Sequence, residues 1–257
     1  MIGRLFRRAA RSAAIPPVRI PEGRRVYAIG DVHGCLDLFD RLLALIDADN
    51  AARAPADTSL ILLGDLVDRG PQSAQVVARA RHLQAFSPDV RVLAGNHEEL
   101  LLRALDGERE ALRLFARVGG RETALSYGIG AADYDAADYD ALAKLLQAAI
   151  PAEDRRFLAA AEDMVVIGDY AFVHAGVRPG VPLDDQRQSD LRWIRGEFLS
   201  HARPLEKMIV HGHTISEEVV VTPTRIGLDT GAYASGTLSA MGFEAGERWV
   251  IQAELPS

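Results

Sequence analysis

Aspartate, histidine and asparagine recur in three short phrases of this chain: Gly30-Asp31-Val32-His33-Gly34, Gly64-Asp65-Leu66-Val67-Asp68-Arg69-Gly70 and Gly95-Asn96-His97-Glu98. Carboxylate oxygens, imidazole nitrogens and an amide oxygen form a donor set suited to Mn²⁺, Fe or Zn²⁺ rather than Ca²⁺. Two such cations about 3.5–4 Å apart can clamp a phosphoryl group and generate a hydroxide nucleophile, so the phrases read as a two-metal phosphoesterase site. Two later phrases, His174-Ala175-Gly176 and Gly212-His213-Thr214, supply further imidazoles. Asp31 and His33 alternate, which on an extended strand sends them to opposite faces; Gly34 beside them predicts a tight turn that lets both converge.

Such residues act together only if the fold gathers them, and the text before each phrase says how. Residues 26–29, 60–63 and 90–93 are short apolar runs that read as buried parallel strands, and their following loops emerge at one sheet edge. Residues 36–46 have helical spacing, with Leu38, Leu42, Leu45 and Ile46 near one face. Pro71 is placed for the first turn of a second helix running to about Ala85. A third helix opens near His97 and carries Leu100, Leu101 and Leu105. This alternation implies a parallel sheet with right-handed crossovers. From about 108 to 161 the chain turns to Ala, Leu and charge at helical spacing, which reads as a helical insertion beside the site. Its repeated acidic stretch at 131–140 reads as a solvated edge and not as a metal site. Residues 164–167 and 170–174 read as a hairpin, and 207–211, 225–229, 237–243 and 249–254 as four more strands. That is too many for one doubly wound sheet, so the expected architecture is α/β, two packed mixed sheets flanked by helices in four layers.

Composition agrees: 257 residues, 48% hydrophobic and 25% charged, are enough to bury a full core. The net charge of −7 argues against a nucleic-acid partner, since phosphate backbones are held by clustered Lys and Arg. Basic residues cluster only in residues 1–24, with Arg4, Arg7, Arg8 and Arg11. That segment reads as a flexible leader to a single domain at 25–257, too charged for a signal peptide or a membrane span. The single cysteine, Cys35, excludes an internal disulfide and points to the cytoplasm. Oligomeric state leaves no mark in the sequence.

The ordered series Gly-Asp-x-His-Gly, Gly-Asp-x-x-Asp-Arg-Gly, Gly-Asn-His-Glu, His-Ala-Gly and Gly-His-Thr resembles the calcineurin-like metallophosphoesterase superfamily, and within it the bacterial and phage branch of the phosphoprotein phosphatase family. The likeness runs from about Arg25 to the C-terminus. It implies that Asp31, His33 and Asp65 hold one metal, with Asp65 bridging to a second held by Asn96, His174 and His213. Mn²⁺ is the metal that this branch implies. It further implies in-line attack by a metal-bridging hydroxide, with His97 protonating the leaving oxygen and Asp68 orienting that imidazole. Arg69 and Arg195 would hold the phosphate oxygens, with Arg192 the competing choice for the second clamp.

Outside that set, His211 reads as a support to His213 or a ligand itself, Glu98 as a support, and Cys35 as a small buried residue at a helix start where a thiolate is favoured. His82, His201, Asp37, Asp40 and Glu99 need no catalytic role. The resemblance makes a phosphorylated protein or peptide the expected partner, hydrolysed as a serine/threonine phosphatase would. The alternative is a symmetrical bis(5'-nucleosyl)-tetraphosphate hydrolase, whose late Leu-Asp-Thr-Gly phrase matches Leu228-Asp229-Thr230-Gly231. Asp68 before Arg69 is the letter that favours the phosphatase. A metal-binding regulatory protein without catalysis would need a missing ligand or acid, and none is missing.

Overall fold

A computed structural model of the protein describes residues 18–255. Most of the basic leader lies outside the described residues, but its end is tied to the domain: Ile20 is buried and its N–H donates to the Ala245 carbonyl. Strand β1 (Arg24–Ile29), helix α1 (Leu36–Ala52), β2 (Asp57–Leu62), α2 (Ser73–Phe86), β3 (Val90–Val92) and α3 (Asn96–Leu105) alternate as expected. Five helices follow, α4 (Arg109–Arg117), α5 (Gly120–Ser126), α6 (Ala131–Ala136), α7 (Tyr139–Ala149) and α8 (Ala152–Ala159). Strands β4 (Met164–Ile167) and β5 (Tyr170–Val173), helices α9 (Gln188–Trp193) and α10 (Gly196–Leu199), and β6 (Met208–His211) come next. The chain closes with β7 (Val220–Val221), β8 (Arg225–Gly227), α11 (Ala232–Ser235), β9 (Thr237–Glu244) and β10 (Glu247–Glu254).

The strands form two five-stranded sheets, ordered β10-β9-β1-β2-β3 and β4-β5-β6-β8-β7. In the first, β1, β2 and β3 are parallel and β9 and β10 antiparallel to their neighbours. In the second, β5, β6 and β8 are parallel, with β4 and β7 antiparallel at the edges. Alternation along β1 shows how the layers arise. Val26 and Ala28 face the second sheet and share a core with its Phe172 and Val210 and with Phe243 of β9; Tyr27 and Ile29 face α1 and pack on Phe39 and Leu42. On the outer face of the second sheet, Ala171, Val173 and Ile209 pack under Leu191, Ile194 and Phe198. The fold is therefore the expected four layers: helices, sheet, sheet, helices.

Three local readings change. Leu45 is 41% exposed, because the buried stripe of α1 is Leu38, Phe39, Leu42, Leu43 and Ile46. Helix α2 starts at Ser73 and leaves Pro71 in the preceding turn, where the Gln72 N–H is held by the Gly34 carbonyl. The two-residue edge strand β7 is too short to read from periodicity. In the repeated acidic stretch, Asp138 caps α7 by accepting the Ala141 N–H, and Asp135 pairs with Arg121. No helix of the described residues is long and apolar enough to cross a membrane.

Candidate active site

The register of β1 on β2 pairs Ile29 with Leu62, and that of β2 on β3 pairs Leu62 with Val92. The loops carrying Asp31, Asp65 and Asn96 therefore leave the first sheet side by side. β5 and β6, also parallel neighbours, deliver His174 and His213 from the second sheet at the same edge. The loops are tightly wound. His33, Asp65, Asp68, Arg69 and His213 all have positive φ, from 44° to 72°, a region that costs non-glycine residues about 1–3 kcal/mol each. The turn expected from Gly34 is real: its φ is +64°, and a Cβ there would lie 2.6 Å from the Gly70 carbonyl oxygen.

Glu98 supplies much of what holds this backbone. Its carboxylate accepts the N–H groups of Asp65 and Leu66, both at 2.8 Å, of Gly95 at 2.9 Å and of Val67 at 3.3 Å. Burial, then the neighbouring Asp65, pushes the Glu98 carboxyl up to about 7. It is a support, as its place in the sequence indicated.

Two clusters of donors share Asp65. One is His33, Asp65 and His97; the other is Asp65, His174 and His213. His33 gives its Nδ1–H to the Val67 carbonyl at 2.7 Å and His174 gives its own to Leu63 at 2.8 Å, which leaves each Nε2 as a lone pair. Burial first of all lowers the pKa of both, and that of His213, to about 3 for His33 and His213, which favours the neutral form a metal donor needs. The His174 Nε2 lone pair faces Asn96 Oδ1 at 3.0 Å and Asp65 Oδ1 at 3.4 Å. Acceptors converging without a proton to share fit a cation, and this donor set fits a metal centre. Asp31 is in neither cluster. It sits 4.0 Å from His33 Nε2, accepts the His213 N–H, and burial and then the Asp229 charge raise its carboxyl well above the usual range. Asp65 is held low: burial opposes this, but the imidazoles of His174, His97, His33 and His213 prevail.

His97, although in a cluster, is engaged differently from the other imidazoles. Its Nδ1–H donates to Asp68 Oδ2 at 2.6 Å. Burial pulls its pKa down, but the Asp65 and Asp68 carboxylates outweigh burial and raise it, which suits an acid near neutral pH. Asp68 is in turn fixed by residues that no motif marked: the Thr123 hydroxyl donates to Oδ1 at 2.6 Å, and Ser73 Oγ accepts the Asp68 N–H. Thr123 lies in α5, inside a stretch whose only legible signal was helical spacing. Arg69 spans the two imidazoles, 3.0 Å from His33 Nε2 and 3.1 Å from His97 Nε2. Arg195 Nε donates to His213 Nε2 at 2.9 Å, whereas Arg192 is held away by Asp163 and Glu99. So Arg69 and Arg195 both reach the site and Arg192 does not.

The remaining candidates fall outside the donor clusters. His211 is buried against Phe198 with its Nδ1–H on the Gly212 carbonyl, behind the loop that carries His213. Cys35 precedes α1, but burial pushes its thiol up to about 11, so the helix start does not yield a thiolate. Glu99 does more than charge a helix start, since it accepts from the Trp193 indole, Arg192 and Arg103. Tyr233, which the sequence did not single out, lies under the Arg69 guanidinium at 4.9 Å and edge-on to His33.

A fold of two mixed sheets whose adjoining edges carry paired clusters of potential metal donors is that of a metallophosphoesterase. A family model described as calcineurin-like phosphoesterase matches residues 24–236. The chain belongs to that family. It is 38% identical over 156 residues to a protein of Delftia acidovorans named bis(5'-nucleosyl)-tetraphosphatase, symmetrical, an alignment covering 60% of this chain and 45% of the relative. The chain thus spans about half the length of that curated relative. Among solved structures, a putative diadenosine tetraphosphatase superposes with a TM-score of 0.63 at 21% identity, covering 90% of this chain and 95% of that one. A cold-active protein tyrosine phosphatase gives a TM-score of 0.60 at 21% identity, covering 90% and 81%. At those identities the structures speak for the fold alone.

The expectation of a phosphorylated protein partner is overturned by these relatives, which carry the name of a dinucleotide polyphosphate hydrolase. The error lay in asking Asp68 to distinguish substrates. Asp68 touches His97 and Thr123, and an acid with its orienting carboxylate serves an alkoxide or a phosphate leaving oxygen alike.

Proposed function

We propose that this chain hydrolyses dinucleoside polyphosphates, cutting a bis(5'-nucleosyl) tetraphosphate symmetrically into two nucleoside diphosphates. The observation that carries this reading is the 38% identity to a relative of that name. In the proposed site, Asp31, His33 and Asp65 would hold one divalent ion, and Asp65, Asn96, His174 and His213 would hold the other. Mn²⁺ is the proposed metal, with Fe or Zn²⁺ as alternatives from the same donor set. When bound, such ions supply Lewis-acid polarisation of the phosphoryl oxygens and lower the pKa of water.

The chain's own groups do the rest. Arg69 and Arg195 place planar guanidinium groups where they can grip the oxygens of the central phosphates as charge grows in the transition state. A water oxygen bonds to phosphorus and sheds a proton to solvent while the bridging P–O bond on the opposite side breaks. His97 delivers its Nε2 proton to the departing diphosphate, and Asp68 and Thr123 keep the imidazole aimed there. The deep burial of the His97–Asp68 pair excludes competing water from that proton.

The test is hydrolysis of diadenosine tetraphosphate with the products resolved by ion-exchange chromatography. ADP as sole nucleotide product is the expected result. Production of ATP with AMP, or no turnover in metal-loaded protein, refutes the reading.

A further inference from the structure

A symmetrical cut leaves a nucleoside diphosphate on each side of the broken bond, so a site for such a substrate needs room for a nucleoside on two sides. On one side of Arg69 stands Tyr233, a 40% exposed ring. Beyond the donor clusters lies a cleft of about 280 Å³ between α3, α4 and the end of α9, lined by Leu100, Ala111, Leu114, Arg113, Arg117 and Trp193 together with Arg103 and Glu110. Its size is at the lower bound of small-molecule pockets, enough for one end of a dinucleotide and too small for the whole.

Two walls of the cleft continue along the chain into segments that touch the site. Two residues beyond Arg117, the Gly119 carbonyl accepts the Arg69 backbone N–H at 3.0 Å. Two residues beyond Trp193 comes Arg195, bonded to His213, and the Trp193 indole is fixed by its N–H to Glu99 at 3.2 Å. Leu100, Ala111 and Leu114 make part of the lining apolar, and its charge is three arginines against Glu110. Arg113 and Arg117 are one helical turn apart on α4 and share a face. Arg103 is neutralised by Glu99 and Glu108, and Arg113 is paired with Glu110 in an exposed bridge of little worth. Arg117 has no ion pair among the described residues. Apolar side chains, a fixed indole and two guanidinium groups lining one cleft together form the chemistry of a nucleotide site.

Resting on the function proposed above, we propose that this cleft is the subsite for one terminal nucleoside diphosphate of the substrate, its base against Trp193 and its phosphates on Arg117 and Arg113. The cleft then selects dinucleotides over small phosphate esters without touching the reacting phosphorus.

The experiment compares wild type with the double variant Arg113→Ala/Arg117→Ala, both exposed positions whose loss spares the core. The kcat/KM for diadenosine tetraphosphate is expected to fall about tenfold or more, through KM, while that for p-nitrophenyl phosphate changes less than about twofold. Equal losses on both substrates, or no loss on the dinucleotide, overturn the proposal. Calorimetric titration of ADP into both proteins separates the two readings. If wild type fails to cleave the dinucleotide yet binds ADP, with affinity at least about tenfold weaker in the double variant, the function falls and the subsite stands. ADP binding equally well to both proteins rejects the subsite whether or not the dinucleotide is cleaved.

Discussion

At the residue scale the site depends on groups that never meet a phosphate. Glu98 fastens four backbone N–H groups of two metal loops. Glu98→Gln turns an acceptor into an NH₂ facing N–H donors, and each donor left unpaired costs about 1–3 kcal/mol. A loss of at least about 2 kcal/mol in urea unfolding is expected, with weaker metal retention. His97 was legible from its position after Asn96, and its proposed role is separable from ligation. His97→Asn should lower kcat by roughly 10²- to 10⁴-fold on a substrate with a poor leaving group and much less on an activated one. Metal content by mass spectrometry should stay at the wild-type level. A parallel fall in metal content would make His97 a ligand, as its membership of a donor cluster allows. Thr123→Val removes the hydroxyl on Asp68 Oδ1 and should lower kcat in the same leaving-group-dependent way, by about tenfold. No sequence signal pointed to Thr123, because its partner is 55 residues away and the contact exists only once α5 packs against the second metal loop.

At the scale of elements, close approaches decide where the helices may sit. Gly119 starts α5 with φ +112°, and a Cβ on it would lie 2.6 Å from the Arg69 backbone nitrogen. Gly119→Ala should therefore displace Arg69 and raise KM about tenfold while far-UV circular dichroism stays unchanged. Helix α1 is tied to both its flanking strands through Asp49, which accepts from the Tyr27 hydroxyl at 2.6 Å, from Trp249 at 3.0 Å and from Arg53 at 2.9 Å. Partial burial opposes ionisation of Asp49, but these donors prevail and hold its carboxyl below the usual 3.8. A depressed carboxylate stabilises the fold above its unfolded pKa and loses that contribution as pH falls through the folded one. The urea midpoint of Asp49→Asn should lie below wild type at pH 7, and the gap should close on acidification below about pH 4. Strand and helix order was readable from apolar runs and spacing because those signals are local; the register of α1's buried stripe slipped at Leu45, since five buried positions compete for one face.

At the scale of the whole molecule, the metal donors straddle the seam between two sheets. Asp31, His33, Asp65 and Asn96 follow strands of the first, and His174 and His213 follow strands of the second. The seam itself is aromatic and aliphatic, with Phe243 of the first sheet set edge-on to Tyr170 and Phe172 of the second, at 4.9 and 5.6 Å. Phe243→Ala should cost about 3–5 kcal/mol in urea unfolding, because it opens a cavity between the two sheets. Conversely, ions that bind across the seam stabilise it. Mn²⁺ at 100 times its Kd should add about 2.7 kcal/mol to stability, and exhaustive chelation should abolish activity, with recovery on adding Mn²⁺ back. Activity in fully chelated protein would refute the two-metal reading.

The sequence by itself determined the chemistry of the donors and the layered fold, because strand ends, glycine turns and metal-binding side chains are written within a few residues of one another. It also led to the wrong partner, since it assigned to Asp68 a choice between substrates that the side chain, locked between His97 and Thr123, does not make. Only the tertiary structure decided which arginine reaches the site, that Thr123 holds Asp68, and that a cleft with three arginines opens beside Trp193. Those depend on where α4, α5 and α9 pack against the donor loops, and packing across 18 to 55 residues of separation leaves no local periodicity to read.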